Sequence, residues 1–191
     1  MDLSAINPVL LIASLMVAAT PLLLAAIGEL VVERAGVLNL GVEGMMIIGA
    51  ISGFAIAVET TSPMVGLVAA MIAGAVLSLL FAFLTQFALA NQVASGLALT
   101  LFGLGLSALM GQSYVGIKPP AMAKLDIPVL SDIPVLGPFL FSHDPVIYIG
   151  LALTAAVYWF LKKSRGGLIL RAVGESHDAA HALGYNVIRV R

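Results

Sequence analysis

The sequence predicts an all-α fold, a polytopic membrane bundle of about five spans followed by a short helix beyond the last of them. Three observations carry this reading. The hydrophobic fraction is 61% and the charged fraction 10%, against about 45–50% and about 25% in soluble domains. No Asp, Glu, Lys or Arg occurs between Thr60 and Ile117, a stretch that hydrocarbon accommodates and a small polar surface does not. Six of the nine Lys and Arg residues fall after the last apolar segment, so the small net charge of -1 hides a strongly uneven distribution.

In chain order the spans are placed at Pro8–Val32, Val37–Val58, Pro63–Ala90, Ala94–Val115 and Pro145–Leu161. Each is close to the roughly 20 residues needed to cross about 30 Å of hydrocarbon at about 1.5 Å per residue. Gly36, Asn39, Gly41, Glu43 and Gly44 interrupt the start of the second span. Asp2 stands where a basic leader would be required, and the first apolar run is too long for a leader, so no cleavable signal peptide is expected. With no cysteine, disulfides and thiolate metal sites are excluded.

Lys and Arg set the orientation. Lys162, Lys163, Arg165, Arg171, Arg189 and Arg191 place the tail in the cytoplasm. The 116–144 loop balances Lys118 and Lys124 against Asp126, Asp132 and Asp144 and is read as external. Five crossings then put Glu33-Arg34 and Asn91-Gln92 inside and the N-terminus outside. Within the loop, Asp126-Ile-Pro-Val-Leu-Ser is nearly repeated by Asp132-Ile-Pro-Val-Leu-Gly. Its regular prolines block a helix and favour extended geometry, either as an apolar cap on the membrane or as an external gate or docking surface.

Small residues one turn apart let helix backbones approach. Gly49 and Gly53, and the row Ala70, Gly74 and Ser78, are such rows, and Gly103 and Gly105 do something similar in the fourth span. Glu29, Glu33, Arg34, Asn39 and Glu43 form the strongly polar group at membrane depth, where an ionisable side chain costs about 2.5–3.5 kcal/mol and faces a partner or a wet cavity. Glu33 and Arg34 read as interfacial anchors. Asn39 and Glu43 sit one helical turn apart among glycines; on a helix they share a face. They read either as a pathway lining in a broken helix or as a hydrogen-bonded structural turn.

Two stretches together carry a family resemblance. Thr20-Pro-Leu-Leu-Leu-Ala-Ala-Ile-Gly-Glu29, leading through Glu33-Arg-Ala-Gly-Val-Leu-Asn-Leu-Gly-Val-Glu-Gly-Met-Met46, resembles the N-terminal signature of ABC-transporter inner-membrane permeases of the nucleoside and simple-sugar branch, related to the branched-chain amino-acid permeases. Arg171-Ala-Val-Gly-Glu175, Ala179-Ala180, Gly184 and Asn186-Val187 with Arg189-Val-Arg191 are similar to that family's cytoplasmic coupling segment, here 171–186. The resemblance implies a single permease domain over 1–191, continuing in the family with further spans, so the chain reads as an N-terminal fragment. It also implies a bacterial or archaeal inner-membrane location, a separate cytoplasmic ABC ATPase subunit, a second permease subunit, an external substrate-binding protein and surrounding membrane lipids. Glu29, Asn39 and Glu43 become the expected substrate pathway, and Arg171, Gly174, Glu175, Ala179, Ala180, Leu183 and Gly184 the ATPase-coupling residues.

The chain holds no phosphate-binding loop of the Gly-x-x-x-x-Gly-Lys-Ser/Thr kind; ATP hydrolysis therefore falls to the partner, and no catalytic residue, cofactor or nucleic-acid contact is expected. Over 176–183, Ser176 is placed to cap a helix and Asp178 to favour its first turn. Gly184 is expected in the left-handed conformation beyond its end, and Ala179, Ala180 and Leu183 form an apolar stripe able to seat on a partner. His177 and His181 are spaced like zinc ligands but lack a third, so no metal is expected. Two competing classes are an ion-coupled secondary carrier relaying through Glu43 and a non-transporting membrane scaffold.

Overall fold

Long apolar runs in lipid fold as helices because only there does each segment satisfy its own N–H and C=O groups. The computed structural model describes residues 8–123, 125–126 and 142–191, so the repeated Ile-Pro-Val-Leu motif lies outside the described residues. In chain order the elements are α1 (Pro8–Arg34), α2 (Val42–Thr60), α3 (Pro63–Ala82), α4 (Gln92–Gly111), β1 (Leu125–Asp126), β2 (Ser142–His143), α5 (Pro145–Lys163), α6 (Arg165–Glu175), α7 (His177–Ala182) and α8 (Val187–Val190). α3 runs on into a π-helical turn, Phe83–Phe87, and α4 tightens into a 3₁₀ turn, Gln112–Tyr114. Among the described residues α1 to α5 are long and apolar enough to cross a membrane, which makes this an all-α polytopic bundle with one two-residue antiparallel pair, β1 with β2.

Two boundaries differ from the sequence reading. The second helix starts at Val42, not Val37, because Gly36 to Gly41 take a non-helical course. Beyond the fifth span there are three short helices, not one; the three glycines of Arg165–Glu175 lower its helix propensity and hide it in the sequence.

The chain divides into two compact units. The first takes residues up to Gly28 and the described part of Met122–Gly167. In it, Gly150 of α5 faces Thr20 and Leu24 of α1 at ordinary contact distance. Thr20 and Thr154 each return their hydroxyl to the carbonyl four residues back, at 2.7 and 2.8 Å. Ser164 makes the elbow between α5 and α6: its hydroxyl donates to Phe160 O at 2.7 Å and accepts from Gly167 N at 2.9 Å.

The second unit takes Glu29–Ala121 and Leu168–Arg191. Its core is Val37, Ile48, Leu77, Phe81 and Leu99. α2 meets α3 through Gly49 and Gly53 against Ala70 and Gly66, and meets α4 through Gly44 against Leu99 and Gly103. A Cβ on Gly103 would lie 2.8 Å from Gly44 Cα, so backbone touches backbone there. Gly105, by contrast, faces nothing within 4 Å among the described residues, and Ser78 is exposed, so those two join no helix contact among the described residues. Asn91 caps α4, accepting from Ala94 N at 3.1 Å. At the far end Tyr114 donates its hydroxyl to Glu59 at 2.8 Å and meets the Phe54 ring edge-on. Met71, Leu79, Leu101 and Leu109 remain largely exposed on α3 and α4, an uncovered apolar surface of the kind lipid covers.

Candidate functional site

The polar residues singled out by sequence converge on the segment between α1 and α2. Residues 35 to 41 form a strap in which alternate positions point inward: Ala35, Val37, Asn39 and Gly41 are buried, while Leu38 and Leu40 are about half exposed. That alternation has the period of extended chain, not of a helix. An extended segment leaves its N–H and C=O groups without local partners, and burial makes each unsatisfied one costly. Side chains from far along the sequence supply them. Glu29 Oε1 accepts from Asn39 N at 3.1 Å, and Gln92 Oε1 accepts from Leu38 N at 2.8 Å. Thr100 donates its hydroxyl to Leu40 O at 3.0 Å. Arg191 donates Nε to Ala35 O at 3.1 Å and Nη2 to Gly36 O at 3.2 Å.

Two glycines let neighbours reach the strap. Gly96 of α4 packs directly on Leu40 and Gly41, and Gly174 of α6 packs on Arg34, Ala35 and Gly36. Gly36 itself has φ +78, and a Cβ there would lie 2.9 Å from Gly174 Cα, so both its conformation and its surroundings demand glycine.

The structure corrects the pairing of Asn39 with Glu43. Asn39 precedes the first turn of α2, so the two do not share a helix face. Asn39 is 6% exposed; its Oδ1 accepts from Gly41 N at 3.0 Å, an Asx turn, and its Nδ2 faces Met45 Sδ at 3.6 Å. Of the two sequence readings, Asn39 realises the hydrogen-bonded turn. Glu43 is exposed in the first turn of α2, where the helix dipole favours a carboxylate. Glu29 holds the strap with one oxygen, while its Oε2 is buried with no hydrogen-bond partner among the described residues.

The 171–186 segment forms as its capping residues dictate. Ser176 Oγ accepts from Ala179 N at 3.3 Å to open α7, Asp178 lies in its first turn, and Gly184 follows with φ +85. The apolar stripe needs correction, because Ala180 is 3% exposed and turns into its own unit, whereas Ala179 and Leu183 face outward, Leu183 being 77% exposed. Gly174 likewise serves internal packing. Arg171 is half-buried with Nε unpartnered among the described residues, and Glu175 and Gly184 are exposed. His177 Nδ1 lies 2.8 Å from Val173 O, which a protonated Nδ1 satisfies, leaving Nε2 to accept from Arg191 Nη2. Partial burial pushes the Arg191 guanidinium below its ordinary pKa, yet an arginine stays charged at neutral pH.

Sequence reasoning missed Gln92, Thr100 and Arg191, all of which bind the strap through contacts at least 54 residues apart in sequence. No local pattern marks a pairing of that range.

Residues 11–191 match the family described as branched-chain amino acid transport system / permease component. The chain belongs to this permease family. Its similar relatives include TsgC13 of Haloferax volcanii, whose name assigns it provisionally as a glucose ABC transporter permease; it is 39% identical over 178 residues, 91% of this chain and 54% of that protein. The guanosine ABC transporter permease NupQ of Bacillus subtilis is 37% identical over 206 residues, 100% of this chain and 63% of its own length. The nucleoside ABC transporter permease NupC of Lactococcus lactis is 30% identical over 194 residues, 95% of this chain and 61% of its own. The chain thus spans between half and two thirds of the length of these curated relatives. No solved structure gives a significant match.

Proposed function

We propose that this permease-family chain forms the membrane pathway of an ATP-binding-cassette importer for a nucleoside or a simple sugar. The match of residues 11–191 to a permease family carries the reading, and the names of the guanosine, nucleoside and glucose relatives supply the substrate class. The chain works with a separate cytoplasmic ATPase, a second permease subunit and an external substrate-binding protein. Its basic tail lies in the cytoplasm, drawn there by the excess of Lys and Arg after α5.

Mechanically, the 171–186 segment is the ATPase-coupling surface, with Ala179, Leu183, Glu175 and Gly184 presented outward and Arg171, Gly174 and Ala180 holding the segment to its own unit. Closure of the ATPase dimer displaces α7. Glu29, Asn39 and Glu43 contribute to the substrate pathway at the α1–α2 strap. Asn39 does so by fixing the backbone and Glu43 by offering an exposed carboxylate to a polar solute.

The test uses the intact transporter with its binding protein. Leu183→Cys is expected to crosslink to the ATPase, and uptake of guanosine or glucose is expected to require ATP. Glu43→Gln is expected to weaken uptake without loss of assembly. Uptake of neither substrate class, or uptake that follows a proton gradient without ATP, would overturn the assignment.

A further inference from the structure

Resting on that reading, the geometry points to Arg191 as the positioning residue that ties the 171–186 segment to the strap at Ala35 and Gly36. Three contacts meet at this residue. Nε and Nη2 reach two successive backbone carbonyls, those of Ala35 and Gly36, and Nη2 also faces the His177 imidazole at the start of α7. A planar guanidinium presents its donors in a fixed fork, which is what two neighbouring acceptors require. Beside it, Gly174 is pressed against Arg34, Ala35 and Gly36 with no side chain between the backbones, and the adjacent Val173 is fully buried.

The strap is therefore held from two directions. Arg191 and Gly174 grip its first residues from the 171–191 side, while Glu29, Gln92 and Thr100 grip Leu38 to Leu40 from α1 and α4. A displacement of α7 acts on His177 and Arg191 first, and two hydrogen bonds carry it to Ala35 and Gly36. From Gly36 the chain runs three residues to Asn39 and then into α2. Coupling between distant sites needs a physical element that both sites bias, and this strap touches the coupling segment at one end and α1, α2 and α4 at the other.

The experiment compares the intact, reconstituted transporter with its Arg191→Ala and Arg191→Lys forms, reading solute uptake and ATP hydrolysis on the same vesicles. For Arg191→Ala, solute moved per ATP is expected to fall by about 5- to 150-fold, the usual range of an allosteric coupling, while hydrolysis and the Leu183→Cys crosslink to the ATPase persist. Arg191→Lys keeps the charge but not the fork and is expected to lie between the two. An unchanged solute-to-ATP ratio in Arg191→Ala, or uptake and hydrolysis falling in equal proportion, overturns the assignment. If Arg191→Ala fails to assemble, Arg191→Lys is the deciding variant, and full coupling in it overturns the proposal. Should the unsubstituted transporter itself show no ATP-driven uptake, the fault lies with the importer reading and not with Arg191.

Discussion

Gly36 and Gly184 have nearly the same backbone conformation, φ +78 and φ +85, but opposite surroundings. Substituting alanine at each separates two physical effects. At Gly184 nothing lies within 4 Å of the new Cβ among the described residues, so the cost is that of a left-handed non-glycine residue, about 1–2 kcal/mol. At Gly36 the same conformational cost applies. In addition, the Cβ would meet Gly174 Cα at 2.9 Å and Gly174 O at 3.0 Å. Those atoms are backbone and cannot rotate away, so overpacking adds about 1–3 kcal/mol. Gly36→Ala is therefore expected to lose about 2–5 kcal/mol in total, clearly more than Gly184→Ala. Gly116, φ +80 with nothing within 4 Å among the described residues, provides a second control. The assay is unfolding of the purified permease in mixed detergent micelles, titrated with a denaturing detergent. Apparent melting temperatures at one scan rate provide a second readout, because unfolding of membrane proteins is often irreversible. Equal losses for Gly36→Ala and Gly184→Ala would refute the close approach of the strap and α6.

Gly103→Val is expected to disrupt the α2–α4 contact by more than 3 kcal/mol, since its side chain would enter the Gly44 backbone. Gly105→Ala in the same helix meets no atom within 4 Å and is expected to be neutral or stabilising by up to about 1 kcal/mol in the same titration. Asn39→Ala leaves the buried Gly41 N–H without its acceptor and is expected to cost about 1–3 kcal/mol; a change below 0.5 kcal/mol, about the size of an ordinary surface substitution, would contradict the Asx turn. In the permease prepared without its ATPase, a maleimide is expected to label Leu183→Cys and to leave Ala180→Cys unlabelled, as their opposite burial requires. Equal labelling at the two sites would show that α7 is turned otherwise.

The bundle was legible in the sequence because hydrocarbon imposes a length and a composition on every crossing, and α1, α3, α4 and α5 fall close to where hydropathy, proline and polar residues place them. Capping was equally legible: Ser176 and Gly184 act as local chemistry says they must. The strap was not. Leu38-Asn39-Leu40 between glycines has a pattern that suits a helix turn as well as an extended segment. The choice between them is made by Glu29, Gln92, Thr100 and Arg191, whose pairings exist only after the chain has folded. The short helix α7 was recognised, but the inward turn of Ala180 was not, because alanine patterns alike on either face.

Where Gly44 meets Gly103, and Gly53 meets Gly66, the main chains themselves form the joint. Beside Gly53 and Gly66 lie the Cβ atoms of Ala70 and Ala57, and neither glycine nor alanine has a side-chain rotamer that could swing aside to make room. A push on α2 at these points therefore meets the main chain of α3 or α4 directly. Such a seam also tolerates no enlargement, so in a saturation screen these four positions should be depleted of nearly every replacement, alanine included.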